Sequence, residues 1–175
     1  MAALLAACGS AAHVRRHRAA TTAPKLAEGC TAGAVRVLAG ADGVGVGAVS
    51  SKMVEGDNAE PQCDLSVVRP RVVVTINIDS APQAYFRMER TIEELAQQFT
   101  VNGPNHSPPT EVAHLGIDAS WLPDESELMT TDARRLITVG VAWPGHRRPA
   151  EIALATAEAR LYLGPNDAKL AYMSP

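Results

Sequence analysis

Hydrophobic side chains recur along the chain with two spacings, and each spacing predicts a different kind of element. Alternation with a period of two predicts strands, because successive residues of a strand point to opposite faces of a sheet. The clearest case is the segment 71–78, in which Val72, Val74 and Ile76 share one face. Strands are predicted in this way at residues 43–49, 63–68, 71–78, 127–131 and 135–143.

Spacings of three and four residues predict three amphipathic helices. Thr31 can cap a short first helix that ends at Gly40, and Ser80 can cap a long second helix. The apolar stripe of the second helix comprises Tyr85, Met88, Ile92, Leu95 and Phe99. The last helix begins at Pro149 and stops at Gly164. Its inward side chains are expected to be Ile152, Ala155, Ala159, Tyr162 and Leu163.

The glycine-rich segment 43–49 has two interpretations, because glycines also line phosphate-binding loops. Its glycines alternate with valine or alanine, which would place Val44, Val46 and Val49 along a strand. No helix pattern follows the segment, and the Lys-Ser/Thr pair of a nucleotide-binding loop is missing. The sequence therefore favours a strand over a phosphate site.

These elements together predict the fold class. The tight turn Asp132-Ala133-Arg134 pairs its neighbouring strands antiparallel, and each helix has one apolar face to place against a sheet. We expect an α+β fold, an antiparallel sheet of about five strands covered by amphipathic helices in a single domain. A chain of 175 residues, 46% of them hydrophobic, is long enough for one such core.

Charge and hydropathy narrow the classes of partner. The net charge is −3, and concentrated positive charge occurs only in Arg15-Arg16-His17-Arg18, so a nucleic-acid partner is not expected. No later stretch approaches the roughly 18 apolar residues of a membrane-spanning helix. Attachment to a membrane would therefore require a lipid.

The three cysteines carry the strongest indication of cellular location. Cys8 ends the run Leu5-Ala6-Ala7-Cys8, which resembles a bacterial lipobox, where a signal peptide is cut and a diacylglyceryl group stays on the cysteine. The preceding residues are short and uncharged for a signal peptide, so we expect the true start to lie further upstream. Export would leave Cys30 and Cys63 to pair in an oxidising compartment. The alternative is a cytosolic protein with an alanine-rich start and two reduced cysteines.

The predicted organisation has four parts. Residues 1–8 are the remnant of a lipoprotein signal peptide, and residues 9–28 form a flexible tether without apolar periodicity. Residues 29–164 form the α+β domain. Residues 165–175 are a frayed C-terminus.

Short motifs lie in a fixed order at residues 5–8, Cys30, Cys63, Gly116 with Ala119 and Trp121, and 152–163. Their order resembles a family of small secreted lipoproteins of actinobacteria that share a domain of unknown function. The resemblance spans residues 28–164 and implies the fold and an extracytoplasmic location. It implies no catalytic residues, because the family has none that are agreed.

Groups that could carry chemistry are dispersed. Of the five histidines, only His106 and His114 have a further candidate ligand nearby, Asp118, and their spacing matches no metal-binding motif. A Gly-x-Ser-x-Gly nucleophile motif is absent, and the lipid and the disulfide would consume every thiol. We therefore predict no catalytic residue, cofactor or metal. His106, His114, Asp118 and Trp121 form a possible binding edge near the predicted loop 101–110, although Trp121 is more typical of a core residue.

The leading functional hypothesis is a non-enzymatic lipoprotein of the cell envelope, anchored through Cys8 to the outer face of the cell membrane. It would bind an envelope protein or a small ligand through the loop 101–110 and the adjacent strand ends. One alternative is an envelope enzyme with a dispersed site that includes His106, His114 and Asp118. The other is a cytosolic interaction protein.

Overall fold

The computed structural model describes residues 30–55, 61–79, 84–102, 107–132, 134–145 and 148–164. These residues form one domain, in which a seven-stranded antiparallel sheet packs against three α-helices. The predicted α+β class is confirmed, and the sheet has more strands than the five or so expected. The predicted signal peptide, tether and C-terminus lie outside the described residues.

The elements follow one another as helix, three strands, helix, four strands and helix. The helices are α1 (Ala32–Ala39), α2 (Ala84–Asn102) and α3 (Arg148–Arg160). The strands are β1 (Ser50–Glu55), β2 (Pro61–Val67), β3 (Val72–Asp79), β4 (Thr110–Glu111), β5 (Asp118–Leu122), β6 (Glu127–Thr131) and β7 (Leu136–Ala142). The strand order is β1-β2-β3-β7-β6-β5-β4, so β3 and β7 join two halves at the centre.

One face of the sheet, here called the inner face, carries the main hydrophobic core. It includes Val72, Val74 and Ile76 of β3, as their alternation predicts. Helices α1 and α3 contribute to the same core cluster. Each fully buried aliphatic side chain of this kind contributes about 1.5–3 kcal/mol relative to exposure. The residues that join the cluster from β7, α1 and α3 are Ile137, Val139, Val141, Val35, Leu38, Leu154, Ala155 and Ala159.

The opposite face, here called the outer face, is only partly covered. Helix α2 lies over β6 and β7 and forms a second, smaller cluster there. The cluster consists of Met88, Leu122 and Met129, with Ile92, Leu95 and Leu136 packed against it. The predicted stripe of α2 is therefore confirmed at its three central positions, while the side chains of Tyr85 and Phe99 lie outside the description. Over β2 and β3 the outer face is polar and partly exposed, with Gln62, Asp64, Ser66, Thr75 and Asn77.

The first helix has the predicted caps and a covalent link to the sheet. The Thr31 hydroxyl oxygen accepts a hydrogen bond from the backbone N–H of Ala34 at 3.1 Å, and Gly40 follows the last turn. Cys30 and Cys63 are joined in a disulfide, with an S–S distance of 2.04 Å and a Cα–Cα distance of 5.3 Å. Both cysteines are buried. The bond attaches the start of α1 to β2, and it joins the pair expected from the sequence.

The strand predicted at residues 43–49 is wrong. The chain forms two short 3-10 turns there, Ala41–Gly43 and Val46–Ala48, and the first strand begins only at Ser50. Gly43 has a φ of 75°, which is incompatible with an extended strand. A run rich in glycine loses much conformational entropy in a strand and offers few side chains to pack against neighbours. Val46 is accordingly 42% exposed rather than aligned with the buried valines.

The loop predicted at residues 101–110 is shorter than expected. Helix α2 continues to Asn102, and strand β4 begins at Thr110. Near the end of the loop, the backbone N–H of Ser107 donates a hydrogen bond to the Asp124 carboxylate at 3.0 Å. This contact ties the loop to the turn between β5 and β6.

Candidate functional site

A groove with a volume of about 520 Å³ lies where β7 leads into α3. Its volume falls within the range of roughly 300–1,000 Å³ that is typical of small-molecule sites. The floor is the outer face of the two central strands, and the walls come from the β5–β6 turn and the start of α3. The lining residues are Val73, Thr75, Glu125, Ser126, Gly140, Val141, Ala142, Trp143, Pro144, Gly145 and Glu151.

Gly140 keeps the floor of the groove open. It lies between Thr75 of β3 and Glu127 of β6 in the sheet register. A Cβ atom added at this position would have the Thr75 Cβ, at 3.8 Å, as its only neighbour within 4 Å. That is an ordinary van der Waals contact, so a larger side chain would extend into the groove.

The turn between β5 and β6, residues Pro123-Asp124-Glu125-Ser126, forms one wall of the groove. Ser126 adopts a φ of 53°, in the left-handed region that tight turns use. Its backbone carbonyl accepts a hydrogen bond from the N–H of Val141 at 2.9 Å. This bond fixes the turn against β7 and holds Glu125 at the rim.

Glu127 is an ionisable side chain beside the groove, and its pKa is raised above the ordinary value. Burial, followed by repulsion from the Glu125 carboxylate, raises the pKa of Glu127 to about 7. Glu127 lies opposite Gly140, beside the groove. Both protonation states are therefore populated near neutral pH, and the carboxyl group can either donate or accept a hydrogen bond.

The structure describes three of the four residues of the binding edge predicted from the sequence. His106 lies outside the described residues. His114 is exposed in a turn, with a φ of 62°, and Asp118 is half-buried at the start of β5. Trp121 is 0% exposed and belongs to the inner core, which is the position that the sequence analysis favours for it. Asp118 and Trp121 are three positions apart on one strand and therefore point to opposite faces.

The described ranges contain no group of three or more His, Cys, Asp or Glu side chains that could hold a metal ion. The helices within them include none that is long and apolar enough to cross a bilayer.

Sequence reasoning misses the groove because its residues are distant in sequence. The groove forms only when β3 and β7 pair in register and the β5–β6 turn lies beside them. These elements and the start of α3 then bring together Thr75, Glu125, Gly140 and Glu151. The one local signal is Gly140, a glycine inside a strand of otherwise bulky residues. Such a glycine marks a place where something approaches the backbone closely.

An ionisable group that the sequence analysis does not single out lies in the core. Glu158 of α3 is 0% exposed, and neither carboxyl oxygen has a hydrogen-bond partner among the described residues. Burial raises the pKa of Glu158 to about 8, so the group is largely protonated and uncharged at neutral pH. Its position continues the inward stripe of α3. The sequence gives no reason to include it in that stripe, because an unpaired Glu is almost never fully buried.

Fold and groove together define a disulfide-linked α+β domain with an open, hydrogen-bonding cleft. The sequence matches no family model, and comparison with curated proteins and with solved structures gives no match either. The resemblance to actinobacterial lipoproteins therefore stays a prediction.

Proposed function

We propose that this chain is a lipoprotein domain of the cell envelope, tethered through Cys8 to the outer face of the membrane. It binds a small ligand or an envelope protein without catalysing a reaction. The observation that carries the proposal is the buried disulfide between Cys30 and Cys63. Structural disulfides persist in oxidising compartments and are rare in a reducing cytosol, so this bond supports an exported domain.

The place of the disulfide in the fold strengthens the argument. Helix α1 has only eight residues, and a helix of that length is not stable in isolation. The bond closes a sequence separation of 33 residues. In the chain-entropy model, a loop of that size contributes about 3–4 kcal/mol. A fold that relies on such a link is suited to an oxidising environment.

The groove supports a binding role. Its lining offers the hydroxyl groups of Thr75 and Ser126 and the carboxylates of Glu125 and Glu151. These groups line a cleft of small-molecule size, and a few polar groups in such a cleft can orient a ligand. The backbone N–H of Ser107 donates a hydrogen bond to Asp124, which lies in the turn that forms one wall of this cleft.

The membrane anchor rests on the lipobox alone, because Cys8 lies outside the described residues. Lipidation adds about 0.8 kcal/mol of membrane affinity for each buried methylene, so several acyl chains would hold the domain firmly. The polar segment 9–28 would then separate the domain from the bilayer surface.

The test uses native protein isolated without reductant. We expect the protein in the membrane fraction, an acylated N-terminal peptide beginning at Cys8 by mass spectrometry, and no reactive thiol from Cys30 or Cys63 after denaturation. A Cys8→Ala variant is the control and should leave the membrane fraction with its disulfide intact. Recovery of an unacylated chain with both thiols reduced from the cell interior would refute the proposal.

A further inference from the structure

The inner surface of α3 carries the carboxyl group of Glu158, and the described residues around it do not stabilise the ionised form. Within the part of the chain that the structure describes, the two oxygens of Glu158 lack hydrogen-bond partners, and the side chain is completely buried. Its neighbours on the same face of the helix are Leu154, Ala155 and Ala159, which are also buried. An ionised carboxylate in such surroundings would cost several kcal/mol of desolvation free energy.

None of the elements packed against α3 supplies a compensating charge within the described residues. Helix α3 packs on β7, β6 and α1. The inward residues of β7 are apolar, and Thr130 of β6 uses its hydroxyl hydrogen for the backbone carbonyls of Leu115 and Asp118. The charged residue of α1 is Arg36, which is exposed. Glu127 of β6 belongs to the outer face.

The remaining ionisable groups of α3 do not pair with Glu158 either. Tyr162 lies one turn further on, and its hydroxyl contacts the Thr31 hydroxyl at 3.4 Å. Glu151 lies at the groove, and Arg148 and Arg160 are exposed. The nearby Tyr162 and the carboxylate of Glu158 disfavour each other's charged form. A charged Glu158 therefore has to reach water.

The way in which α3 is held allows this to happen by local opening. Helix α1 is bound covalently to β2 through Cys30. The end of α3 is held only by non-covalent contacts, among them the hydrogen bond from the Gly164 N–H to the Asp132 carboxylate at 2.9 Å. Separating α3 from the sheet breaks neither the disulfide nor a strand pairing, because Cys30 and Cys63 lie outside α3 and the sheet is formed by the seven strands alone.

We propose that α3 is a proton-dependent cover of the inner core, docked while Glu158 carries its proton and lifted from the sheet when that proton passes to water. Because Glu151 and the Trp143-Pro144-Gly145 segment line the groove, the same movement reshapes the groove wall. Docking of α3 and the geometry of the groove are thereby coupled to pH.

The direction of the pH effect follows from linkage. In the docked state the pKa of Glu158 is about 8, against the ordinary value of 4.5 once the side chain is in water. Between these values only the lifted state releases the proton, so the opening constant rises about tenfold per pH unit. Below pH 4.5 and above about pH 8 the opening constant no longer changes with pH.

Hydrogen exchange of the backbone amides of α3 measures this opening. After correction for the intrinsic pH dependence of exchange, we expect the opening constant to rise about tenfold per unit from roughly pH 5 to pH 8 and to level off above. In Glu158→Gln the corrected rates should be independent of pH. The matched control Glu151→Gln, on the same helix but at the groove, should keep the slope of the wild type.

Three results would overturn the proposal. The first is a corrected exchange rate of α3 in the wild type that does not vary with pH. The second is a pH dependence of α3 exchange that survives in Glu158→Gln. The third is the same pH dependence in β3 as in α3, which would indicate global unfolding. If Glu158→Gln does not fold, carbon NMR of labelled glutamate in the wild type decides the question. A Glu158 carboxyl that titrates near the ordinary value for glutamate contradicts the proposal, and one that titrates together with α3 exchange supports it.

Discussion

The two faces of the sheet differ in what covers them and in what they can do. The inner face is closed by α1 and α3 and filled with aliphatic side chains around Trp121. Among the described residues, the outer face is covered by α2 on one side only and is polar over β2 and β3. The same seven strands therefore support both a core and an accessible surface, and the alternation of each strand assigns its residues to one or the other. Stability should depend on the inner face and binding on the outer one.

The largest effect should come from removing the biggest side chain of the inner face. Trp121→Ala deletes a fully buried indole whose N–H has no hydrogen-bond partner, so the loss is one of packing. We expect the free energy of unfolding to fall by about 3–5 kcal/mol. Asn77→Ala, on the outer face of β3, should change it by about 0.5 kcal/mol or less. Urea unfolding followed by circular dichroism measures both. Equal losses would mean that the two faces do not differ as described.

The sequence predicts the inner face better than the outer one, for a physical reason. Burial imposes a period, so the alternation of Val72, Val74 and Ile76 is enough to identify a strand. The same reasoning fails at residues 43–49, because an alternating pattern built on glycine has the period without the side chains that make a strand stable. It fails differently at Glu158, where the helical period is right but the polarity of glutamate argues against burial.

The groove cannot be predicted from periodicity. An outer face carries few constraints of its own, because polar residues in contact with water tolerate many sequences. Glu125 and Glu151 are neighbours in space only because β7 ends between the β5–β6 turn and α3. Their proximity depends on the register of the strands and on the path of the chain after β7. Neither can be predicted from a short stretch of sequence.

An intermediate effect is expected where α3 meets the sheet. Burial alone would raise the pKa of Asp132, but hydrogen bonds from the Arg135 side chain and from the Gly164 and Arg134 N–H groups outweigh it and lower the pKa. The ionised form therefore stabilises the fold above the ordinary pKa of aspartate, and this contribution is lost as pH falls through the lowered value. Asp132→Asn should cost about 1.5–3 kcal/mol near neutral pH and progressively less in acid.

Urea unfolding at neutral and acidic pH tests this expectation. The matched control is Asp64→Asn on the outer face, where the carboxylate accepts one hydrogen bond from the Gln62 amide at 2.8 Å. A partly exposed contact of this kind contributes roughly 1 kcal/mol or less. If the cost of Asp132→Asn stays constant down to acidic pH, the stabilising role of the ionised carboxylate is refuted.

The smallest effect on stability, and the largest on binding, should come from Gly140. A valine there fits the strand without meeting backbone, because Thr75 Cβ is its nearest neighbour at 3.8 Å. We expect the free energy of unfolding to change by less than about 1 kcal/mol, since better strand propensity offsets the new contact. Thr75 and Gly140 form the floor, so the added methyl groups occupy the space that a ligand would use.

Ligand-observed NMR with a library of small polar fragments provides the measurement. Fragments that bind the wild type should lose their signal in Gly140→Val and keep it in Asn77→Val, which places a valine on the same face outside the groove. Binding that survives in Gly140→Val would move the ligand site away from the central strands. Binding lost in both variants would mean that the whole polar outer face, rather than the cleft at its end, recognises the ligand.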